Sequence, residues 1–392
     1  MTQAQLFDTP SLIDDTLLNA LPSPCWVIEE HLLRKNLEIL KYVSNESGAK
    51  ILLALKAFAP WKKADIINEY LSGCCASGLN EAKLAREEFG KEVHTYSPAF
   101  KESDIDQIAS LSDHLVFNSP SQLHRYHQRV KEINPNISIG LRVNPQYSEA
   151  PVELYNPCAP HSRLGTLDKD IDFEVATKIE GLHFHTLCEQ DSDALENTLK
   201  VFTKKFGRWL PLMKWVNFGG GHHITRDGYD IDRLIHIIKE FKKSYPQLQI
   251  YLEPGEAVGW QTGVLVATVI DIVHNGIDIA ILDTSTEAHM PDTVIMPYKA
   301  TVRGASKAGK KAYTYRLTGN TCLAGDIMGD YSFDKKLEIG SKIIFEDQMH
   351  YTIVKATTFN GINLPAIAMI TQEADIEIIR MFGYEDFKSR LG

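Results

Sequence analysis

Lys56 follows the apolar run Ile51-Leu52-Leu53-Ala54-Leu55. The run reads as a buried strand that ends on a lone ammonium. Burial penalises a charge. One use for a lysine placed there is a lowered pKa, which makes it a nucleophile toward an aldehyde. The plainer alternative is a side chain that snorkels from the strand end into solvent. Three other groups hold comparable positions. His183 and His185 flank Phe184 and share parity, so on one strand they face the same side. Gly219, Gly220 and Gly221 follow a second apolar run and let backbone N–H groups approach a phosphate closely. Glu253 precedes the turn Pro254-Gly255, and Glu256 follows it. Taken singly these are core histidines, a flexible turn and a strand end. Taken together they are an amine, an imidazole, an anion cradle and a carboxylate.

The elements that must position them alternate. Short apolar segments at 51–55, 73–76, 93–96, 115–117, 138–143, 181–185, 215–218 and 250–252 read as strands. Amphipathic stretches such as 80–89, 120–133 and 231–244 lie between most of them. Eight β/α units over residues 36–262 suggest a TIM-type (β/α)8 barrel, with an open doubly wound sheet as the rival. In such barrels catalytic groups stand at the C-terminal strand ends, where Lys56, His185, the glycine triplet and Glu253 all fall. After residue 263 the pattern changes. Segments 264–273, 279–283, 298–302, 312–317, 342–345 and 351–356 read as strands without intervening helices. They form a second, antiparallel β domain over 263–392 together with 1–35, where the early strand 25–28 joins it. Residues 307–311 read as an exposed hairpin turn.

The four groups fit pyridoxal 5′-phosphate. Its aldehyde condenses with a lysine, its phosphate needs a cradle, an imidazole packs flat on its ring, and a carboxylate keeps its ring nitrogen protonated. A protonated ring is a strong electron sink, which favours decarboxylation over racemisation.

Composition narrows the partners. Net charge is −10, which disfavours nucleic acid and anionic membrane. The longest apolar runs are too short to span a bilayer. The N-terminus lacks the basic and apolar regions of a signal peptide. Six cysteines without a Cys-x-x-Cys pair read as reduced thiols in a cytoplasmic protein.

From Pro24 to about Ile370 the chain resembles the fold-type III pyridoxal-phosphate decarboxylases, which act on ornithine, diaminopimelate or carboxylated triamines. The resemblance is carried by Ala54-Leu55-Lys56-Ala57-Phe58, by Asn156-Pro157-Cys158-Ala159-Pro160-His161-Ser162-Arg163-Leu164-Gly165, by Glu253-Pro254-Gly255-Glu256-Ala257 and by Gly319-Asn320-Thr321-Cys322-Leu323-Ala324-Gly325-Asp326. These stretches are most similar to the triamine branch. The resemblance implies that Lys56 carries the cofactor, His185 stacks on it and Glu253 faces its ring nitrogen. It also implies that Gly219, Gly220, Gly221 and Tyr351 hold its phosphate, with Gly255 a further cofactor-binding residue. Cys322 would reach the active site of the partner subunit in a homodimer and deliver a proton to the α-carbon.

Two departures from the wider group bear on substrate. Glu256 stands where ornithine and diaminopimelate enzymes usually have Arg, and Leu323 stands where they have an acid. Glu256 and Asp292 are therefore the expected readers of substrate amines. The reaction implied is decarboxylation of carboxynorspermidine to norspermidine and of carboxyspermidine to spermidine. A decarboxylase for diaminopimelate or ornithine, a racemase and a non-enzymatic cofactor carrier are the alternatives. The role of Asp326 stays open, between shaping its loop and touching substrate.

Overall fold

The computed structural model describes residues 10–296 and 298–392. The chain divides into two compact units. One is Asn36–Val258; the other joins the described residues up to Lys35 with Gly259–Gly392.

β1 (Cys25–Glu29) belongs to the second unit. The first unit is a closed barrel of eight parallel strands: β2 (Lys50–Ala54), β3 (Gly73–Ala76), β4 (Glu92–Tyr96), β5 (His114–Phe117), β6 (Ser138–Arg142), β7 (Gly181–His183), β8 (Trp215–Asn217) and β9 (Gln249–Leu252). β9 closes on β2 with Lys50 opposite Tyr251. These strands are buried on both faces, which is why they read as continuous apolar runs rather than alternating ones. Leu52, Val116, Trp215 and Tyr251 pack together in one cluster. Two glycines make room for the tryptophan. A Cβ on Gly181 would lie 2.0 Å from its ring, and one on Gly140 2.3 Å from it. The surrounding helices start where their caps dictate. Pro120–Ile133 begins with Ser119 as N-cap and Pro at its first turn, and buries Leu123, Tyr126 and Val130. Ile231–Ser244 is capped by Asp230, whose carboxylate accepts from Arg233 N at 2.9 Å.

The second unit is built on a sheet that has nine strands among the described residues. Along it run β12 (Ser306–Lys307), β14 (Ile327–Phe333), β13 (Tyr313–Thr318), β11 (Asp278–Leu282), β10 (Gly263–His274), β1, β16 (Ala366–Ile370) and β17 (Ile376–Arg380), with β15 (Lys342–Glu346) on β10. The sheet is mostly antiparallel, but β1 pairs β16 and β11 pairs β13 in parallel. The wholly antiparallel expectation is corrected to that extent. Cys25, Val27, Val264, Val266, Ala366, Ala368 and Ile370 form its core with Leu18 and Leu21.

Three local expectations also change. Residues 351–356 fold as a helical turn, Thr352–Lys355, because Tyr351 takes a left-handed φ of +53° and its carbonyl accepts from Lys355 N at 3.1 Å. Residues 298–302 contribute a single bridge, Val302 to Phe345. Residues 307–311 do not close a hairpin, since β12 and β13 both pair β14 rather than each other.

Candidate active site

β2 ends at Ala54, two residues before Lys56. The chain turns there, with Ala57 N donating to Ala54 O at 3.1 Å. Leu55, Ala57 and Phe58 are buried, and Lys56 is exposed. The lysine therefore does not occupy a buried strand tip, as expected from sequence; a buried turn presents it outward. The Glu253-Pro254-Gly255 turn is fastened to that turn by a hydrogen bond from Ala54 N to Pro254 O at 3.0 Å. Gly255 packs so close that a Cβ would lie 2.6 Å from Ala57 Cβ and 2.9 Å from Ala54 O.

β7 ends at His183, so His185 lies beyond the strand rather than on it. The two imidazoles and the Glu253 carboxylate still converge, with ligand atoms within 4.8 Å of one another. Asn217 Nδ2 donates to Glu253 Oε1 at 2.6 Å. His183 Nε2 is 3.5 Å from Oε2, and neither ring nitrogen of the buried His183 makes a hydrogen bond. Burial pushes the His183 pKa well below its ordinary value, with the Arg142 and Lys56 charges adding to it. Burial, Lys56 and Arg142 do the same to His185. Both rings are thus neutral, and both feel the Lys56 ammonium. Gly220 N donates to His185 Nδ1 at 3.2 Å, which assigns the ring proton to Nε2.

The glycine triplet is as close as backbone can be. Gly219 and Gly221 have φ of +73° and +84°. A Cβ on Gly219 would lie 2.6 Å from Phe184 O, one on Gly220 2.3 Å from Glu253 O, and one on Gly221 2.0 Å from Leu187 O. Gly219 N donates to Asn217 Oδ1 at 2.8 Å. Two of the three amides are therefore already engaged. Packing against neighbouring backbone is what requires glycine at these three positions, and the triplet does not present three open donors.

Arg142 and Asn217 were missed by sequence reasoning. Arg142 is buried at the tip of β6, lies 4.6 Å over the Tyr96 ring and donates to His185 O at 3.3 Å. Its signal is the same as that of Lys56, a cation after an apolar strand. Tyr96 donates to Asn118 Oδ1 at 2.8 Å, and Asn118 Nδ2 donates to Arg163 O at 2.9 Å. Asn118 thereby anchors the end of the 156–165 loop. Glu256 opens the helical turn Glu256–Gly259, and His223 Nε2 is 3.4 Å from its Oε2.

The remaining expected residues lie in the sheet unit. Lys355 links two of them: its Nζ is 2.6 Å from Asp292 Oδ1 and 4.9 Å from the Tyr351 ring centroid. Cys322 is exposed on a loop, and its N–H donates to Asn360 Oδ1 at 2.7 Å.

The family description "Pyridoxal-dependent decarboxylase, C-terminal sheet domain" matches residues 25–348. The chain belongs to the pyridoxal-dependent decarboxylases. The carboxynorspermidine/carboxyspermidine decarboxylase of Campylobacter jejuni is 55% identical to it over 381 residues, which cover 94% of this chain and 98% of that one. The carboxyaminopropylagmatine decarboxylase of Synechocystis is 45% identical over 97% of this chain and 98% of its own. The crystal structure of carboxynorspermidine decarboxylase from C. jejuni, complexed with norspermidine, is 53% identical with a TM-score of 0.87, covering 94% of this chain and 100% of that one. Diaminopimelate decarboxylase from Helicobacter pylori, 16% identical with a TM-score of 0.80 over 96% and 98% of the two chains, shares the fold.

Pyridoxal phosphate is the decarboxylase's cofactor, and the barrel residues fit it. Glu253 is a buried carboxylate held by an amide, His185 is a neutral ring beside the glycine triplet, and Lys56 supplies an amine. Among the described residues no helix is long and apolar enough to cross a membrane.

Proposed function

We propose that this decarboxylase acts on carboxylated triamines, converting carboxynorspermidine to norspermidine and carboxyspermidine to spermidine at the end of polyamine synthesis. The observation that carries the reading is the 55% identity to the C. jejuni enzyme over nearly the whole of both chains. Glu256, where an arginine is usual in the amino-acid decarboxylases, supports it.

The residues divide the work. Lys56 would hold the cofactor, with His185 against its ring, Glu253 at its ring nitrogen, and Gly219, Gly220, Gly221, Gly255 and Tyr351 around it. Bound there, pyridoxal phosphate supplies the sink for the electron pair left when CO₂ departs. Glu253 keeps that sink charged. Cys322 of a partner subunit gives its thiol proton to the α-carbon and is reprotonated from water. Leu323, exposed next to Cys322, Ile327, exposed at the start of the following strand, and Phe359, exposed next to Asn360, offer apolar surface for that partner. Glu256 and Asp292 read the substrate's amines. Asp292 already pairs with Lys355, so a substrate ammonium there must displace or share that partner. All six cysteines are free thiols, which supports a cytoplasmic enzyme.

The test is CO₂ release from purified holoenzyme with carboxynorspermidine, carboxyspermidine, carboxyaminopropylagmatine, diaminopimelate and ornithine. The first two should give the highest kcat/KM. A higher value for carboxyaminopropylagmatine, or for either amino acid, overturns the assignment.

A further inference from the structure

The loop that carries Cys322 is organised around Asp326, whose side chain is buried within the sheet unit. Asp326 is 3% exposed. Its Oδ2 accepts from Thr321 Oγ1 at 2.7 Å and from Thr321 N at 3.3 Å. Its Oδ1 accepts from Thr286 N at 2.7 Å. Its backbone closes the same loop, accepting from Gly319 N at 2.9 Å and donating to Leu323 O at 3.0 Å. A Cβ on Gly319 would lie 2.2 Å from the carboxylate, so the loop's first residue packs directly on it.

Thr286 begins a different piece of chain. It opens the helical turn Thr286–His289, which runs into a second turn, Asp292–Ile295. The two turns form one hydrogen-bonded segment. Met290 N donates to Thr286 O at 3.1 Å, Thr293 N donates to Met290 O at 3.0 Å, and the Thr286 and Thr293 hydroxyls are 3.3 Å apart. Asn320 N adds a further link from the Cys322 loop, to Thr284 O at 3.3 Å. Asp326 therefore bonds, through its two oxygens, the loop that bears Cys322 and the segment that bears Asp292. A buried carboxylate is costly unless its oxygens are satisfied, and here both are spent on that junction. The outer side of the loop has its own tie, from Cys322 N to Asn360 Oδ1 at 2.7 Å. Asn360 is held with φ at +59°.

We propose that Asp326 is a positioning residue that locks the Cys322 thiol and the Asp292 carboxylate into one frame, with Asn360 fixing the loop's outer side. The proposal rests on the reading of Cys322 as proton donor and Asp292 as substrate reader. Its chemical consequence is specific. A thiol in register protonates the α-carbon that lost CO₂, and the product leaves as an amine. With the thiol out of register and pyridoxal phosphate bound, the proton would go to the cofactor's former aldehyde carbon instead, and hydrolysis by water would release the product as an aldehyde and leave its nitrogen on pyridoxamine phosphate. A loop that matters only for folding would lower the yield of active enzyme without changing this ratio.

The experiment measures, for folded holoenzyme, the ratio of pyridoxamine phosphate to polyamine product by chromatography, and KM in parallel. Cys322→Ala is the reference and should raise the ratio. Asp326→Asn, which turns one oxygen into a donor facing donors, should raise it roughly ten- to a hundredfold, as small misplacements of reacting groups do, and should also raise KM. Asn360→Ala, at an exposed position, should raise the ratio and leave KM unchanged. If Cys322→Ala does not move the ratio, the reading of Cys322 fails. If it does, while Asp326→Asn and Asn360→Ala leave the ratio at the wild-type value, the positioning role is wrong. A raised ratio with unchanged KM in Asp326→Asn overturns the shared frame. Should Asp326→Asn not fold, Gly319→Ala takes its place, since it sets a methyl against the same carboxylate.

Discussion

Asn217 ties Glu253 to the glycine triplet: its side-chain amide donates to Glu253 Oε1 at 2.6 Å, and its carbonyl oxygen accepts the Gly219 N–H at 2.8 Å. One residue thus orients the carboxylate expected at the ring nitrogen and the first glycine of the cradle. Replacing it by alanine removes a hydrogen bond to a charged group, worth about 1.5–3 kcal/mol. Asn217→Ala should lower kcat/KM roughly ten- to a hundredfold and weaken cofactor binding in a titration of the apoenzyme. Wild-type values of both would show that Glu253 holds its place without Asn217.

The opposite end of the barrel sets an acid limit on stability. Glu92 accepts from His94 Nε2 at 2.9 Å, from Tyr251 at 2.7 Å and from Lys50 at 2.9 Å. His114 stacks on His94 with ring centroids 3.9 Å apart, and its Nε2 is 3.4 Å from Glu92. Burial alone would raise the Glu92 carboxyl, but the bond and charge of His94, with Lys50 and Tyr251, hold it well below the carboxylate range. Burial, then the neighbouring His94, pushes His114 down to about 2. Burial also lowers His222 and His289, each to about 4. For all of these groups the unfolded chain binds the proton more readily, so stability falls as pH falls. The histidines act from about pH 6.5 downward and Glu92 from about pH 4.3, their unfolded values. His114→Gln should flatten the fall of Tm between about pH 6.5 and 4.5. An unchanged slope would remove His114 from the acid response.

Glu256→Gln and Asp292→Asn should each lower kcat/KM for the triamine by roughly ten- to a hundredfold while leaving the cofactor's absorbance intact. Asp292 makes the sharper case, because Lys355→Met removes its protein partner and should tighten rather than weaken substrate binding. Unchanged kcat/KM in both carboxylate variants would place substrate recognition elsewhere.

The barrel was legible because parallel strands buried on both faces leave unbroken apolar runs. The sheet unit was harder to read. Thr352, Ile353 and Val354 have the β-branched composition of a strand, yet the backbone of Tyr351 turns them into a helical turn. The sequence alone places no strand at β12, β14, β16 or β17, although β16 lies beside β1 in the core. Asn217 left no pattern in the sequence, and Asp326 stood in a legible stretch without a legible role, because a polar residue that organises backbone amides is recognised only by the partners that folding brings to it.

Shared sites should show in mixing. Lys56→Ala and Cys322→Ala homodimers are each expected to be nearly inactive. After complete exchange about half the dimers are mixed, and each mixed dimer has one site with neither defect, so about a quarter of wild-type activity should return. No recovery, with exchange confirmed by a tag, would place Cys322 in its own chain's site or outside the chemistry.

Lys56 is the proposed holder of the cofactor, and borohydride reduction of the holoenzyme followed by peptide mapping tests that role most directly. The cofactor's mass should appear on the peptide containing Lys56 and on no other. Stable labelling of a different lysine, or of none in fully loaded enzyme, would contradict it.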